Sequence, residues 1–428
     1  MRKTKLLGWL LFVCLVFSIA SIFSPFVGAE APWLDGWGER ELFYYQSSTS
    51  TTNYQGSLIV INQTGFNGAN TFYIYNETLA SFEDLRVTQS DGTTILPIWN
   101  QTTNSGLNCT FWAKFPVVNA SYFLYWNNPD AVSVWNQTAV FVDIISGVLG
   151  AWAMDEINVT APVTDYSGNG HSGTVTGTTL VSGKFSGTLA KQTNSSTDQV
   201  SFGNLGTLPV VGSLEFWFKG TATNYGNLFR TIASTTVGFR VQVYASGQFN
   251  GYGDAANVIL ASGFQNDYWY HLVFNWNTTA KTLTVWLDNT KKIDAAIQAT
   301  MNTAISSFVV GTGYDDSSGR RWVGVISNIN YYNSSLTVSQ IGNLFGNYPD
   351  VRLVAGSVFV RNYVYPSPGV SLFGVVESAP EPTPSPSPTI DPNALTVDDG
   401  VALAVVFGVI AISLAIIFPL YFKKRKDS

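Results

Sequence analysis

The sequence of 428 residues contains little charge, little cysteine and little histidine. Charged residues make up only 12% of it, against about 25% in ordinary soluble domains. Such a composition excludes a disordered polyelectrolyte. The net charge is −6 and no long basic stretch interrupts the body of the chain, which argues against a protein that binds nucleic acid.

Cysteine is too scarce for a disulfide-linked scaffold. Cys14 lies in an apolar run at the N terminus, so Cys109 is alone in the rest of the chain and has no intrachain partner. No sequence feature points to a histidine beside Cys109 or to an activated thiolate, so we expect a buried, inert thiol. The folded domains must then be held together by apolar cores.

The chain nevertheless has two long apolar runs, one near each end. Basic residues precede the run at 6–23, and small residues precede Glu30, a pattern that predicts a secretory signal over 1–29. An uncleaved N-terminal anchor is the alternative. Residues 401–422 carry no charge and span about 33 Å at about 1.5 Å per residue, enough to cross a bilayer.

The residues around the C-terminal run predict its orientation. A basic tail at 423–428 follows the predicted transmembrane helix at 400–422 and favours a cytoplasmic C terminus. Six prolines within 379–392 predict an extended stalk over 379–399, and the extracellular location makes an SH3-type ligand the weaker interpretation. We therefore expect a type I, single-pass protein of the cell membrane, with the lipid bilayer as one partner and an extracellular body.

The body alternates apolar and polar residues with period two. Clear examples are residues 213–219, 239–244 and 282–288, and turn pairs such as Asp91-Gly92 and Asp288-Asn289 punctuate the pattern. Many short strands separated by such turns predict an all-β fold built from β-sandwiches. Apart from the membrane span, only the segment around 337–345 favours a helix.

The first part of the body resembles the domain-of-unknown-function family 2341. The resemblance is carried by Trp37 and Arg40 and by the motifs FEDLRVTQSDGTTILPIW (82–99), FWAKFPV (111–117) and FLYWNNPDA (123–131). It implies a first β-sandwich over 30–146.

The next part resembles the laminin-G-like, concanavalin A-like jelly-roll domains. The motifs that carry this resemblance are GVLGAWAMDE (147–156), LEFWFKG (214–220), YWYHLVFNWN (268–277) and WVGVISNINYY (322–332). They imply a jelly roll over 147–348, with Trp152, Trp217 and Trp286 mostly in the core. Residues 349–378 are expected to return as extra strands of the first sandwich. Together the two resemblances imply two β-sandwich (jelly-roll) domains with a binding role at the surface of a microbial cell.

Catalytic motifs are missing from the sequence. A glycosidase needs two carboxylates about 5–9.5 Å apart across a cleft, and Glu215 stands alone in its strand, where it favours a solvated or edge position. His171 and His271 are far apart, and no nucleophile elbow or zinc-binding motif is present. We therefore expect no enzyme and no catalytic residue.

Calcium is the best metal candidate that the sequence offers. Asp165 and Asn169 belong to a loop rich in carbonyl groups, and the jelly-roll resemblance implies that such loops can hold this hard cation. The alternative is that Asp165 and Ser167 cap a turn through side-chain hydrogen bonds.

A second polar loop is a candidate site for a ligand. Tyr314, Asp315, Asp316 and Arg320 combine an aromatic ring with polar groups, as carbohydrate binding requires, although loop packing explains the same residues. Ten sequons predict a glycoprotein, if the host glycosylates asparagine. They begin at Asn62, Asn76, Asn100, Asn108, Asn119, Asn136, Asn158, Asn194, Asn277 and Asn333.

These patterns favour a non-catalytic protein for recognition or adhesion that binds glycans or neighbouring surface proteins. The first alternative is a structural envelope glycoprotein, or a viral spike, without a discrete ligand. A surface-anchored glycoside hydrolase is the second. The sequence alone separates these functions no further.

Overall fold

The computed structural model describes residues 31–380, apart from 76, 196, 222–225, 232–238, 245, 247–248, 254–257, 262–263, 297–303, 306, 312–321 and 365. The body forms one compact unit that ends at Ala379. Within the described part, no helix has the length and apolarity needed to cross a membrane. The predicted signal, the predicted membrane helix with its tail, and almost all of the predicted stalk lie outside the described residues.

Strands dominate the described chain, as the alternating pattern predicts. The first part contains β1 (Glu39–Gln46), β2 (Thr52–Asn62), β3 (Thr71–Ile74), β4 (Arg86–Gln89), β5 (Ile98–Asn104), β6 (Asn108–Val117), β7 (Ala120–Trp126), the short helix α1 (Gln137–Val140) and β8 (Asp143–Ser146).

The middle part contains only strands. In chain order they are β9 (Val148–Trp152), β10 (Thr174–Thr176), β11 (Thr179–Ser182), β12 (Leu189–Thr193), β13 (Gln199–Gly203), β14 (Gly206–Thr207), β15 (Val211–Thr221), β16 (Gly226–Arg230), β17 (Phe239–Val243), β18 (Phe249–Gly253), β19 (Val258–Ala261), β20 (Tyr270–Asn277), β21 (Thr282–Leu287), β22 (Thr290–Ala296), β23 (Ala304–Ile305), β24 (Phe308–Val310) and β25 (Val323–Tyr332). The last part contains helix α2 (Val338–Gly346) and then β26 (Tyr348–Asp350), β27 (Ser357–Arg361) and β28 (Gly369–Ser378).

The first sandwich packs two four-stranded sheets face to face. Their strand orders are β28-β1-β7-β4 and β3-β2-β6-β5. Alternate residues of each strand fill the space between the sheets with large apolar side chains, including Phe43, Phe72 and Phe115. Cys109 lies in this core, fully buried, and burial raises the pKa of its thiol to about 12. The sequence-based prediction that this thiol is buried is confirmed.

The first and last strands of the described chain are neighbours in one sheet. β28 pairs with β1 from Ser378 opposite Glu39 to Gly369 opposite Gln46. The buried Arg40 donates from Nε to Glu377 at 2.6 Å, and its guanidinium lies between the rings of Trp33 and Phe123, at 4.2 and 4.3 Å. The chain therefore leaves the first sandwich after β7 and returns to it with β28.

The middle part forms a second, larger sandwich. A seven-stranded sheet, β10-β13-β24-β16-β17-β18-β19, faces an eight-stranded sheet, β11-β12-β25-β15-β20-β21-β22, with β9 paired to β25. The core between them contains Trp152, Phe216, Phe274 and Trp322. This two-sheet arrangement agrees with the expected jelly roll.

A three-stranded sheet joins the two sandwiches. Its strand order is β26-β27-β8. Successive side chains of β27 point to opposite faces of this sheet. Val358 and Val360 pack with helix α2 against the outer face of the eight-stranded sheet. Phe359 points the other way and stacks on Trp99 of the first sandwich at 5.2 Å. One small sheet is thus shared as a layer between both sandwiches.

Two local predictions are confirmed at the level of single residues. Helix α2 begins after Thr337, whose hydroxyl accepts from the backbone N–H of Gln340 while the Gln340 side chain accepts from the N–H of Thr337, a capping box. Asp288 and Asn289 have φ values of 49° and 57°, the left-handed pair that a two-residue hairpin requires.

A buried carboxyl in the first sandwich makes stability depend on pH. Glu41 faces the core, where Asn67 donates to both of its oxygens at 2.7 Å, and desolvation raises its pKa to about 7. A raised pKa means that the protonated form favours the fold, so ionisation costs stability as pH rises from about 4.5 to about 7. We expect the Tm of the wild-type chain to fall across this window relative to Glu41→Gln, and to run parallel to it above pH 8.

Thermal unfolding of the full chain at pH 5, 6, 7 and 8 measures this difference. Glu83→Gln, at a partly exposed position, is the matched control and should follow the wild type at every pH. A Tm difference between wild type and Glu41→Gln that does not change with pH would contradict the prediction.

Candidate functional site

The loop predicted to bind a ligand lies outside the described residues, but both of its ends are described. Tyr314, Asp315, Asp316 and Arg320 belong to the segment 312–321. The two flanking residues meet directly, since the N–H of Trp322 donates to the carbonyl of Gly311 at 3.1 Å. Gly311 in turn donates to the carbonyl of Leu228 in β16, at 3.1 Å. The base of the loop therefore lies beside the middle of the seven-stranded sheet.

A strip of polar side chains occupies the neighbouring outer face of that sheet. In β17, Phe239, Val241 and Val243 enter the core, so Arg240 and Gln242 point to the opposite face. Across the ladder, Asn227 of β16 is the register partner of Gln242, and Arg230 is the partner of Arg240. We call these four residues the polar strip.

The polar strip combines two guanidinium groups with two amides. Arg240 is partly exposed, whereas Asn227, Arg230 and Gln242 are buried. Amide and guanidinium groups offer the hydrogen-bond donors and acceptors that suit the hydroxyl and carboxylate groups of sugars.

Sequence reasoning missed the polar strip, although half of its signal was present. The alternation at 239–244 places Arg240 and Gln242 together on one face. The pairing with β16 was hidden, because a register shift between Asn227 and Phe229 breaks the simple period of two in that strand.

The loop that contains Asp165 is held by a closed set of hydrogen bonds. The Asp165 carboxylate accepts from the backbone N–H groups of Ala151, Ser167 and His171 and from the Ser167 hydroxyl, at 2.9–3.1 Å. Asn169 donates to the carbonyl of Leu149 at 3.0 Å. These contacts are those of a turn cap that ties the loop to β9.

Calcium at this loop stays a prediction. Within the described chain, no group of three or more His, Cys, Asp or Glu side chains is placed to hold a metal ion. Asp165 and Asn169 lie in one turn, and the described donors to Asp165 are N–H and O–H groups.

The sequence-based expectation for Glu215 is wrong. Alternation does place Glu215 on the face opposite the core, but helix α2 and the three-stranded sheet cover that face, so the side chain is fully buried. Its carboxylate contacts Nε2 of His271 at 2.9 Å and accepts from Nδ2 of Asn330 at 2.7 Å. The Trp217 ring lies 4.8 Å from the His271 ring at an angle of 32° and stacks on Phe345 of α2 at 5.7 Å.

This buried cluster brings together the only acid and histidine of the described residues that form a close His–carboxylate pair. Its geometry fits the connection between the eight-stranded sheet and α2 rather than chemistry on a substrate, because neither side chain has accessible surface. His171 lies elsewhere, in the Asp165 loop, where the indole N–H of Trp152 donates to its carbonyl.

Nine of the ten candidate sequons are described, and all nine asparagines have accessible surface. Asn119, Asn136, Asn158, Asn194 and Asn333 are exposed, and Asn62, Asn100, Asn108 and Asn277 are half-buried. Asn76 lies outside the described residues. Modification of these positions stays a prediction.

Comparison with known families supports the jelly roll. Residues 194–342, about a third of the chain, match the family model described as the concanavalin A-like lectin/glucanases superfamily. The matched segment contains all four residues of the polar strip and the predicted ligand loop. No curated protein matches the chain.

Solved structures give more distant likenesses. Domain 4 of a GH43 extracellular arabinanase from Geobacillus stearothermophilus, solved with arabinotriose, is 17% identical with a TM-score of 0.38, over 47% of this chain and 98% of that one. The binding domain of Paraclostridial Mosquitocidal Protein 1 is 14% identical with a TM-score of 0.37. The ligand-binding domain of botulinum neurotoxin serotype D, solved with N-acetylneuraminic acid, is 12% identical with a TM-score of 0.35.

The two toxin domains extend well beyond the similar region. Each of the two comparisons spans 49% of this chain. The similar region makes up 55% of the mosquitocidal-protein domain and 54% of the botulinum neurotoxin domain. The assignment of a jelly roll therefore rests on the family model over residues 194–342 and on the two facing sheets described above.

The buried cluster gives a prediction that separates a structural from a functional role. Glu215→Ala leaves His271 and Asn330 buried without their shared partner, which should lower the free energy of unfolding by about 3–5 kcal/mol. Urea denaturation of the full chain measures this loss. Glu83→Ala, at a partly exposed position, is the control and should change stability by about 0.5 kcal/mol or less. Unchanged stability of Glu215→Ala with loss of a binding activity would contradict the structural role.

Proposed function

We propose that this protein recognises glycans at a cell surface through its jelly roll and has no catalytic activity. The observation that carries the proposal is the polar strip, whose partly exposed member Arg240 lies on the outer face of a sheet within the segment that matches the concanavalin A-like lectin/glucanases superfamily. Recognition needs a few convergent polar groups on a rigid support, and paired strands provide that support.

The described ends of the predicted ligand loop lie next to the same strand. Gly311 is hydrogen-bonded to β16, the strand that supplies Asn227 and Arg230. Tyr314 and Arg320 in that loop are the residues we propose for stacking and charge contacts beside the strip.

Two of the described acids support a non-catalytic protein. The buried Glu215 carboxylate contacts His271 rather than solvent, and the Asp155 carboxylate is held by Arg352. A surface-anchored glycoside hydrolase is accordingly the weaker proposal.

The location of the protein is part of the proposal. Residues 1–29 would export the chain, 379–399 would separate its body from the bilayer, and 400–422 would anchor it as a type I membrane protein. The resemblance of residues 30–146 to the domain-of-unknown-function family 2341 would make the first sandwich a companion domain of the lectin-like one.

A glycan array with the full chain in a detergent that contains no sugar tests the proposal. Probes should include arabino-oligosaccharides and sialylated glycans, the ligand classes named for two of the compared structures, and each array should be run with calcium and with chelator. We expect selective binding. Loss of binding in chelator would support calcium at Asp165, whereas equal binding in both conditions would show that recognition does not require calcium.

A single substitution locates the site. Arg240→Gln removes one charge from the partly exposed end of the polar strip, and a lost charged hydrogen bond of about 1.5–3 kcal/mol should weaken binding roughly tenfold or more. Lys281→Gln removes the same charge from an exposed turn of the opposite sheet and should bind as the wild type does.

The proposal fails if the folded chain binds no glycan in either condition. Equal weakening of binding by both substitutions would contradict the proposed position of the site at the polar strip, since it would reveal a general effect of charge. Circular dichroism of both variants confirms that neither result comes from unfolding.

A further inference from the structure

One side of the first sandwich exposes apolar side chains along a sheet edge. β28 pairs only with β1 among the described residues, so its other edge faces outward. Leu372, Val375 and Val376 of β28 are exposed, Val375 to 82%. Phe66, in the loop before β3, is 96% exposed. We call these four residues the lateral patch.

Contacts place the Phe66 loop and β28 on the same side. Asn67, next to Phe66, donates to Glu41 of β1, which is the register partner of Val376. β3 follows that loop, and its Phe72 contacts Phe373 of β28 with ring centroids 5.1 Å apart. The edge strands β3 and β28 of the two sheets therefore lie next to each other.

Large apolar groups on an exposed edge are costly to leave in water and are typical of surfaces that bind a partner. β28 does not present a regular edge, because its pairing with β1 shifts register between Glu41 and Phe43 and between Tyr44 and Tyr45. Such shifts disfavour the addition of another strand by backbone hydrogen bonds. Contact through side chains fits this edge better.

We infer that the lateral patch is the contact between two copies of this chain held in the same membrane. Excluding three basic residues of the predicted signal, four of the tail and Asp427 leaves 15 Lys+Arg against 27 Asp+Glu, a net charge of −12 for the body and the predicted stalk together. Two copies repel each other over most of their surface. Residues 362–376 carry no charge, so copies approach there with least repulsion.

The end of the described chain points to the same partner. β28 ends at Ser378, directly before the predicted stalk and anchor. Two chains tethered in one membrane meet at a high effective concentration, which makes a small apolar contact sufficient. A two-fold contact brings each Val375 close to its symmetry mate. This inference concerns the first sandwich and is independent of glycan binding by the jelly roll.

Disulfide cross-linking of the full chain in membranes tests the inference. In a Cys14→Ser background the remaining Cys109 is buried, and burial raises the pKa of its thiol to about 12, so it should not react. We expect Val375→Cys to form a covalent dimer under mild oxidation at a rate at least about fivefold higher than Ile157→Cys, an equally exposed position elsewhere. Adding Leu372→Lys to Val375→Cys should abolish the excess.

Two vesicle populations that carry different tags establish which membrane the copies share. Cross-links only between copies with the same tag support a contact within one membrane. Cross-links between different tags would overturn that part of the inference and indicate contact between facing membranes. Equal rates for Val375→Cys and Ile157→Cys would overturn the lateral patch as an interface. A matching glycan-binding signal in every variant would show that such a failure leaves the proposed function intact.

Discussion

One short strand, β27, holds the two sandwiches of this protein together, because its successive side chains point to opposite faces. In β27, Val358 and Val360 belong to the core above the eight-stranded sheet, while Phe359 belongs to an aromatic cluster with Trp99, Trp112 and Phe141 of the first sandwich. Arg361, on the same side as Phe359, pairs with Asp350 at 2.9 Å and lies over Trp112. Because successive strand residues point to opposite faces, β27 buries apolar surface on both sides at once.

This shared layer covers the part of the outer face of the eight-stranded sheet that contains Glu215. Helix α2 and the three-stranded sheet lie above it, and the buried His271 and Asn330 both hydrogen-bond to the Glu215 carboxylate. Such hydrogen bonds offset part of the cost of burying polar side chains. The seven-stranded sheet carries the polar strip on its own outer face, so the two sheets of one sandwich serve different purposes: one supports the rest of the molecule and the other is the proposed site.

The return of β28 to β1 determines what the first sandwich presents to its surroundings. Arg40 and Glu377 lie 337 residues apart in sequence. Their ion pair joins β1 to β28, and the jelly roll lies between these two strands in chain order. β28 then becomes both an edge strand and the last structured element before the proline-rich segment. Glycan recognition by the jelly roll and lateral contact by the first sandwich would thus belong to separate surfaces, and neither would obstruct the other.

The sequence by itself determined local structure and fold class. Period-two alternation, turn pairs such as Asp288-Asn289 and the capping box at Thr337 depend only on neighbouring residues, so an all-β body with one short helix near its end was predictable. Whether the second face of a strand is buried or exposed to solvent was not predictable. Whether Glu215 is solvated or buried depends on α2, more than 100 residues away, and whether Asn227 joins Gln242 depends on a bulge. Only the tertiary structure decided these points, because burial and strand register arise from contacts between distant segments.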